Sequence, residues 1–194
     1  MSRTLFRGAT VWDGTGAAPF PADVLVSGNR VQTVAQRPGE LQADGATQID
    51  GRGMTLMPGL VEGHAHLSFG GAQKNSDLGD IPPEEHVLLT MRNAKTLLDH
   101  GFTSAYSAAS AKLRLDVVIR NEIAAGRLPG PRLRAAGPEL TVTAGLGDEN
   151  RLHMLRDSFG MVVDGADAIA KAVRTCVREG VDSIKINISG DDFV

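Results

Sequence analysis

From residue 59 onward this 194-residue chain alternates short apolar runs with helical stretches, and that alternation restricts its fold more than any other feature. Pro82-Pro83-Glu84-Glu85 reads as a helix start, with prolines and acidic residues at the positively polarised end. Val87, Leu88, Met91, Ala94, Leu97 and Leu98 then recur at helical spacing, and Gly101 closes the helix. A second helix is expected from Leu115 to Ala125, stopped at Gly126, and a third from Ala166 to Glu179, ending at Gly180. Between them lie four strand candidates: the run after Pro58-Gly59, Phe102 to Tyr106, Arg132 to Ala136, and Ser183 to Ser189. Strands joined by crossover helices lie parallel. Four such strands and three helices make an α/β architecture, about the first half of a (β/α)8 TIM barrel. A closed barrel of this type takes about 250 residues, whereas positions 58–194 number 137. The expectation is therefore the N-terminal portion of a larger protein, with a half-barrel that closes by dimerising as the alternative.

Residues 1–57 carry a different pattern, short strands broken by turn signals. Asp23-Val24-Leu25-Val26 and Arg30-Val31-Gln32-Thr33-Val34 flank Ser27-Gly28-Asn29, a hairpin signature, and Asp13-Gly14-Thr15-Gly16 is a second turn. This stretch reads as a small β segment, with residues 58–194 forming the barrel portion.

Composition excludes several classes of function. Hydrophobic residues are 42% and charged residues 22%, as in an ordinary folded domain. The net charge of −3 comes from scattered rather than blocked charges, so neither nucleic acid nor a membrane surface is an expected partner. Met1-Ser2-Arg3-Thr4-Leu5-Phe6-Arg7 lacks the apolar stretch of a signal peptide, which makes the cytoplasm the default location. The lone Cys176 can form no intrachain disulfide and is expected to pack in the core.

Two short segments carry chemistry. In Pro58-Gly59-Leu60-Val61-Glu62-Gly63-His64-Ala65-His66-Leu67 two histidines stand two residues apart at the end of an apolar run. In a strand, positions i and i+2 share a face, so both imidazoles can hold one metal ion. The run opens into Ser68-Phe69-Gly70-Gly71, as a buried parallel strand does where it meets a loop, and barrel enzymes keep their chemistry at that end. The second segment is Ser183-Ile184-Lys185-Ile186-Asn187-Ile188-Ser189. Period-2 alternation sends the three isoleucines to the helix layer and Lys185 with Asn187 to the barrel interior. Burial there disfavours the ammonium form and leaves a neutral amine able to take up carbon dioxide as a carbamate.

These motifs resemble the metal-dependent amidohydrolase superfamily, in its imidazolonepropionase-like and prolidase-like branch. Pro58 to His66 is similar to that family's PG(L/I)(I/V)(D/E)xHxH strand, which supplies the first two metal ligands. Ile49 to Met57 resembles the run-in to the barrel, and Gly180-Val181-Asp182-Ser183-Ile184-Lys185-Ile186 the strand that supplies a carboxylated lysine. Phe159 to Asp167 resembles the family's entry into the third helix. The resemblance covers essentially the whole chain. It implies that residues 1–57 are half of a β-sandwich completed by the far C-terminus, and that a bridging carbamate on Lys185 joins His64 and His66 in holding one or two divalent ions (zinc, cobalt or manganese). Two further histidines and a proton-shuttling aspartate are expected from later strands.

Departures from the family pattern bear on substrate. Where relatives read TTVRD this chain has Thr103-Ser104-Ala105-Tyr106-Ser107, and where they read TGGHG it has Thr143-Ala144-Gly145-Leu146-Gly147. Losing an arginine and a histidine weakens the case for a dipeptide with a free carboxylate and opens the way to an apolar amide, urea or carbamate. Tyr106, His153 and Asn187 are candidate substrate contacts; a tyrosine capping the barrel core and a satisfied core amide are the structural alternatives for Tyr106 and Asn187. His86 and His100 fall on the first helix and are expected at the surface. The reading is a C–N-bond hydrolase acting on a small molecule, with homo-oligomerisation open. A mononuclear site that does without Lys185, and a non-catalytic protein of the same fold, are the alternatives.

Overall fold

The computed structural model describes residues 2–70, 72–154 and 157–190. The chain forms two compact units, Met1–Pro58 and Gly59–Val194.

In the first unit, β1 (Arg3–Val11) is the hub. It pairs antiparallel with β2 (Phe20–Ser27) and parallel with β4 (Thr47–Asp50) and β5 (Thr55–Leu56), while β3 (Arg30–Ala35) lies outside β2. The expected hairpin is present, with Gly28 at φ +60° in the β2–β3 turn. The Asp13 turn also forms, its Oδ1 accepting from the Thr15 amide and hydroxyl. The central role of β1 was not legible, because Arg3 and Arg7 interrupt its apolar alternation. A bulge between Phe6 and Ala9 places Gly8 at φ +64°, and its N–H donates to Asp23 at 2.8 Å. Asp23 is fully buried and also accepts from the Gly39 amide and the Arg7 guanidinium, which offset its desolvation.

In the second unit, β6 (Leu60–Ala65), β7 (Phe102–Ser107) and β8 (Arg132–Arg134) form a parallel sheet in that order. After β6 come the short α1 (Asp77–Asp80) and then α2 (Pro83–Asp99), which starts at the expected prolines. Between β7 and β8 runs α3 (Leu115–Ala124). Ala65, Leu67, Ala94, Ala105, Ile119 and Leu133 make one core between the sheet and these helices. Two short strands that the sequence reading did not foresee, β9 (Leu140–Thr141) and β10 (Met161–Val162), pair in parallel. Finally α4 (Ala166–Arg178) packs Ala172 and Cys176 against Leu140, with Ile184 and Met161 alongside. Cys176 is buried as expected. No helix of the described residues is long and apolar enough to cross a membrane.

The described residues form no closed barrel, as expected of its first half. Other expectations need correction. Strand β6 is an edge strand rather than a buried one, with Val61 67% exposed, because among the described residues it pairs only with β7. Ser183–Ser189 is not a continuous strand. It makes two parallel bridges, Ala136↔Ser183 and Leu140↔Ile186. Between these bridges the neighbouring chain passes through Gly137 and Pro138, and proline offers no N–H to a ladder. Asp182 N–H to Ala135 O, Leu140 N–H to Lys185 O and Asn187 N–H to Leu140 O still hold the segment alongside the third strand's path. Only Ile184 reaches the helix layer; Ile186 is exposed and Ile188 is 94% exposed.

The Pro-Gly break before β6 has a steric cause. A Cβ on Gly59 would lie 2.1 Å from Thr103 Oγ1 and 2.7 Å from Thr103 Cβ. Side-chain rotation does not move Thr103 Cβ, so the overlap can be relieved only by a backbone shift. Gly59→Ala should therefore destabilise the protein by roughly 1–3 kcal/mol, read as a lower urea midpoint. An unchanged midpoint would contradict this packing.

Candidate active site

His64 and His66 lie at the C-terminal end of β6 and just beyond it, with ring centroids 5.0 Å apart and planes at 68°. The same-side placement expected of an i, i+2 pair is thus met. His64 is anchored through its backbone, whose N–H donates to Glu62 Oε1 at 2.9 Å. His66 is half-buried, with Nδ1 3.3 Å from Ala109 O. A carbonyl can only accept, so Nδ1 carries the proton and the Nε2 lone pair is left for another partner. The ring also stacks on Phe69 at 4.3 Å, and Phe69 in turn meets Phe159 edge-on at 5.3 Å. Burial pushes the His66 pKa down; the bond to Ala109 works the other way, and the charges of His64 and Lys185 add to the depression. The neutral ring is the form that ligates metals.

Lys185 is half-buried and lines a cavity of about 170 Å³ with His64, Tyr106, Gly63, Ser107 and Ala108. His64, Tyr106 and Lys185 are thereby brought together although they are far apart in sequence. Tyr106 is exposed, at the end of β7. Asn187 is directed elsewhere: its Nδ2 donates to Leu146 O at 2.8 Å, tying the segment after Lys185 to the loop that follows β9. In that loop Thr143 is fastened to Asp164 and the Ala144 amide to Asp148, with Ala144 held at φ +60°. His153 is exposed, and the cavity shared by His64 and Lys185 is lined without it. His100 is exposed as expected, whereas His86 is 0% exposed and donates from Nε2 to Ser68 O at 2.7 Å. The surface expectation for His86 failed because it lies on the inner face of α2, next to the apolar stripe.

The donor set fits part of a metal site. It supplies two imidazoles, one of them, His66, with a ring nitrogen already engaged, and a lysine that lines a cavity with the other, His64. Among the described residues no group of three or more His, Cys, Asp or Glu side chains is placed to hold an ion.

The sequence pattern of the amidohydrolase family matches residues 55–190. Dihydroorotase of Streptomyces coelicolor is 34% identical over 110 residues, 57% of this chain and 21% of that protein. Ochratoxinase of Aspergillus niger is 29% identical over 166 residues, 75% of this chain and 33% of that protein. A prolidase crystallised with N-methylphosphonate-L-proline superposes with a TM-score of 0.81 at 27% identity, covering 95% of this chain and 46% of the other. The chain thus spans between a fifth and a half of the length of these proteins.

Proposed function

This chain belongs to the amidohydrolase family, and from that premise we propose that it carries the first part of the active site of a metal-dependent hydrolase that cleaves a C–N bond in an amide-like small molecule. The observation that carries the reading is the convergence of His64, His66 and Lys185: two imidazoles 5.0 Å apart, one of them sharing a cavity with the lysine. Residues 1–57 would be one part of a composite β-sandwich, and residues 58–194 the first four strand positions of the barrel.

A divalent ion, zinc or else cobalt or manganese, would supply Lewis acidity and lower the pKa of a bound water. His64 and His66 would hold it, the second with its ring aimed by the Ala109 carbonyl and the Phe69 face. The Lys185 ammonium would first give up one proton, and the free amine would then add to carbon dioxide and release a second, replacing a cation with a carbamate anion whose oxygens could serve as metal ligands. Tyr106 lies beside His64 and Lys185, where its ring would flank the substrate. Asn187 would act indirectly, by fixing the Thr143–Asp148 loop through Leu146. With Tyr106 and Leu146 standing where relatives carry arginine and histidine, an uncharged amide, urea or carbamate suits the site better than a free carboxylate. A small-molecule substrate, rather than nucleic acid or a membrane surface, agrees with the scattered charge.

The test is turnover by the intact protein, stripped of metal and reloaded separately with zinc, cobalt and manganese, on a panel of N-acyl amino acids, neutral amides, ureas and carbamates. Metal-dependent hydrolysis favouring the neutral compounds is expected. No hydrolysis of any compound under any metal would overturn the reading.

A further inference from the structure

The inner face of α2 carries a polar stripe where an apolar one would suffice. His86, Thr90 and Asn93 fall at i, i+4 and i+7, on one side of the helix, and the first two are fully buried. Buried polar groups are costly unless bonded, and these bonds converge on the loop that follows His66. His86 Nε2 donates to Ser68 O and Asn93 Nδ2 to Leu67 O, each at 2.7 Å, while the Thr90 hydroxyl donates back to His86 O. Gly70 lies so close that a Cβ there would come within 2.5 Å of Asn93 Nδ2. Ser68 is itself fully buried, and its Oγ accepts from the Ala111 amide at 2.8 Å, two residues beyond the carbonyl that takes the His66 proton. The next residue, Phe69, stacks on the His66 ring.

We propose that His86 and Asn93 are positioning residues for the metal site: two side-chain donors on α2 set the Leu67–Phe69 backbone and, through the Phe69 ring and the Ala109 carbonyl, the aim of the His66 imidazole. The inference rests on the metal-hydrolase reading above. Isosteric apolar residues would fill the same space but would leave the Leu67 and Ser68 carbonyls without their donors, so the stripe serves that backbone and not only the packing of the core. His86 Nδ1 is moreover buried with no hydrogen-bond partner, a penalty that an apolar side chain would avoid. What the two donors add is direction, because each fixes a successive carbonyl and hence the torsions of the segment between His66 and Phe69.

The experiment titrates zinc into the metal-stripped intact protein against a chromogenic chelator, for wild type, His64→Ala, His86→Leu, His86→Gln, Asn93→Leu and the near-isosteric Asn93→Asp. The two leucine variants should bind zinc about 10–100-fold more weakly, as loss of an outer support does, while His86→Gln, whose amide can reach the Ser68 carbonyl, recovers most of that loss. Asn93→Asp keeps size and polarity but no donor, and should behave as Asn93→Leu even if the latter folds poorly. Thermal midpoints without metal separate lost folding from lost affinity. Folded leucine and aspartate variants with wild-type affinity, or a glutamine variant as weak as His86→Leu, would overturn the proposal. If His64→Ala loses zinc while those variants keep it, only the support role fails. If His64→Ala binds as wild type does, the metal reading fails and takes this one with it.

Discussion

His66→Ala in the intact protein should lower metal affinity by more than about 100-fold, beyond the 10–100-fold typical of losing a residue outside the ligand set, and metal-dependent turnover should vanish with it. Such a loss exceeds about 2.7 kcal/mol. The imidazole is held from two sides, by the Ala109 carbonyl and the face of Phe69, so its aim is set before any ligand arrives and alanine leaves nothing to replace it. Elemental analysis after dialysis should find two equivalents in wild type and a sharp fall in His64→Ala, His66→Ala and Lys185→Ala. One equivalent surviving Lys185→Ala would instead indicate a mononuclear site built without the lysine. No metal in any form would favour a non-catalytic member of the fold.

A second large effect is expected from a carboxyl that the sequence reading passed over. Asp116→Asn should stabilise the protein above neutral pH by an amount that approaches about 4 kcal/mol, since one pKa unit corresponds to 1.36 kcal/mol. Asp116 lies in the first turn of α3, where the helix dipole favours an anion, yet it is 0% exposed. Burial pushes its pKa up to about 7, with the Ser107 and Ser110 hydroxyls and the Ala136 amide offsetting only part of the cost. The unfolded chain gives up this proton near 3.8, while the folded protein keeps it until about 7. Between those values the folded state binds more protons, so stability falls as pH rises and levels off above 7. Asparagine does not titrate. The stability gap between variant and wild type should therefore widen from pH 4 to pH 7 and stay constant to pH 8, as read by urea midpoints at each pH. Parallel curves for the two proteins would refute an elevated Asp116 pKa.

Much of the barrel portion was legible because its signals are local. Pro82-Pro83 and Gly101 bound α2, Gly126 follows α3, and Gly180 follows α4, each through backbone constraints that need no tertiary partner. The two histidines were placed on one side by strand periodicity alone, and Cys176 was assigned to the core by its position in a helix. The β1 hub was missed because arginines break its alternation, and β9 and β10 because two-residue strands have no period to detect. For His86 a usable signal existed: positions 86, 90 and 93 lie on the same helical face as Ala94 and Leu97, so a stripe of polar residues pointed inward.

By itself the sequence determined the order of strands and helices, the residue types able to bind metal and the family to which they belong, since each depends on spacing along the chain. Tertiary structure alone decided that Lys185 shares a cavity with His64, that Asn187 turns to the Leu146 carbonyl, and that α2 reaches the Leu67 and Ser68 carbonyls. Those partners are up to 121 residues apart in sequence, and several are backbone carbonyls, which every residue carries alike. No spacing rule can single them out until packing has brought the elements together.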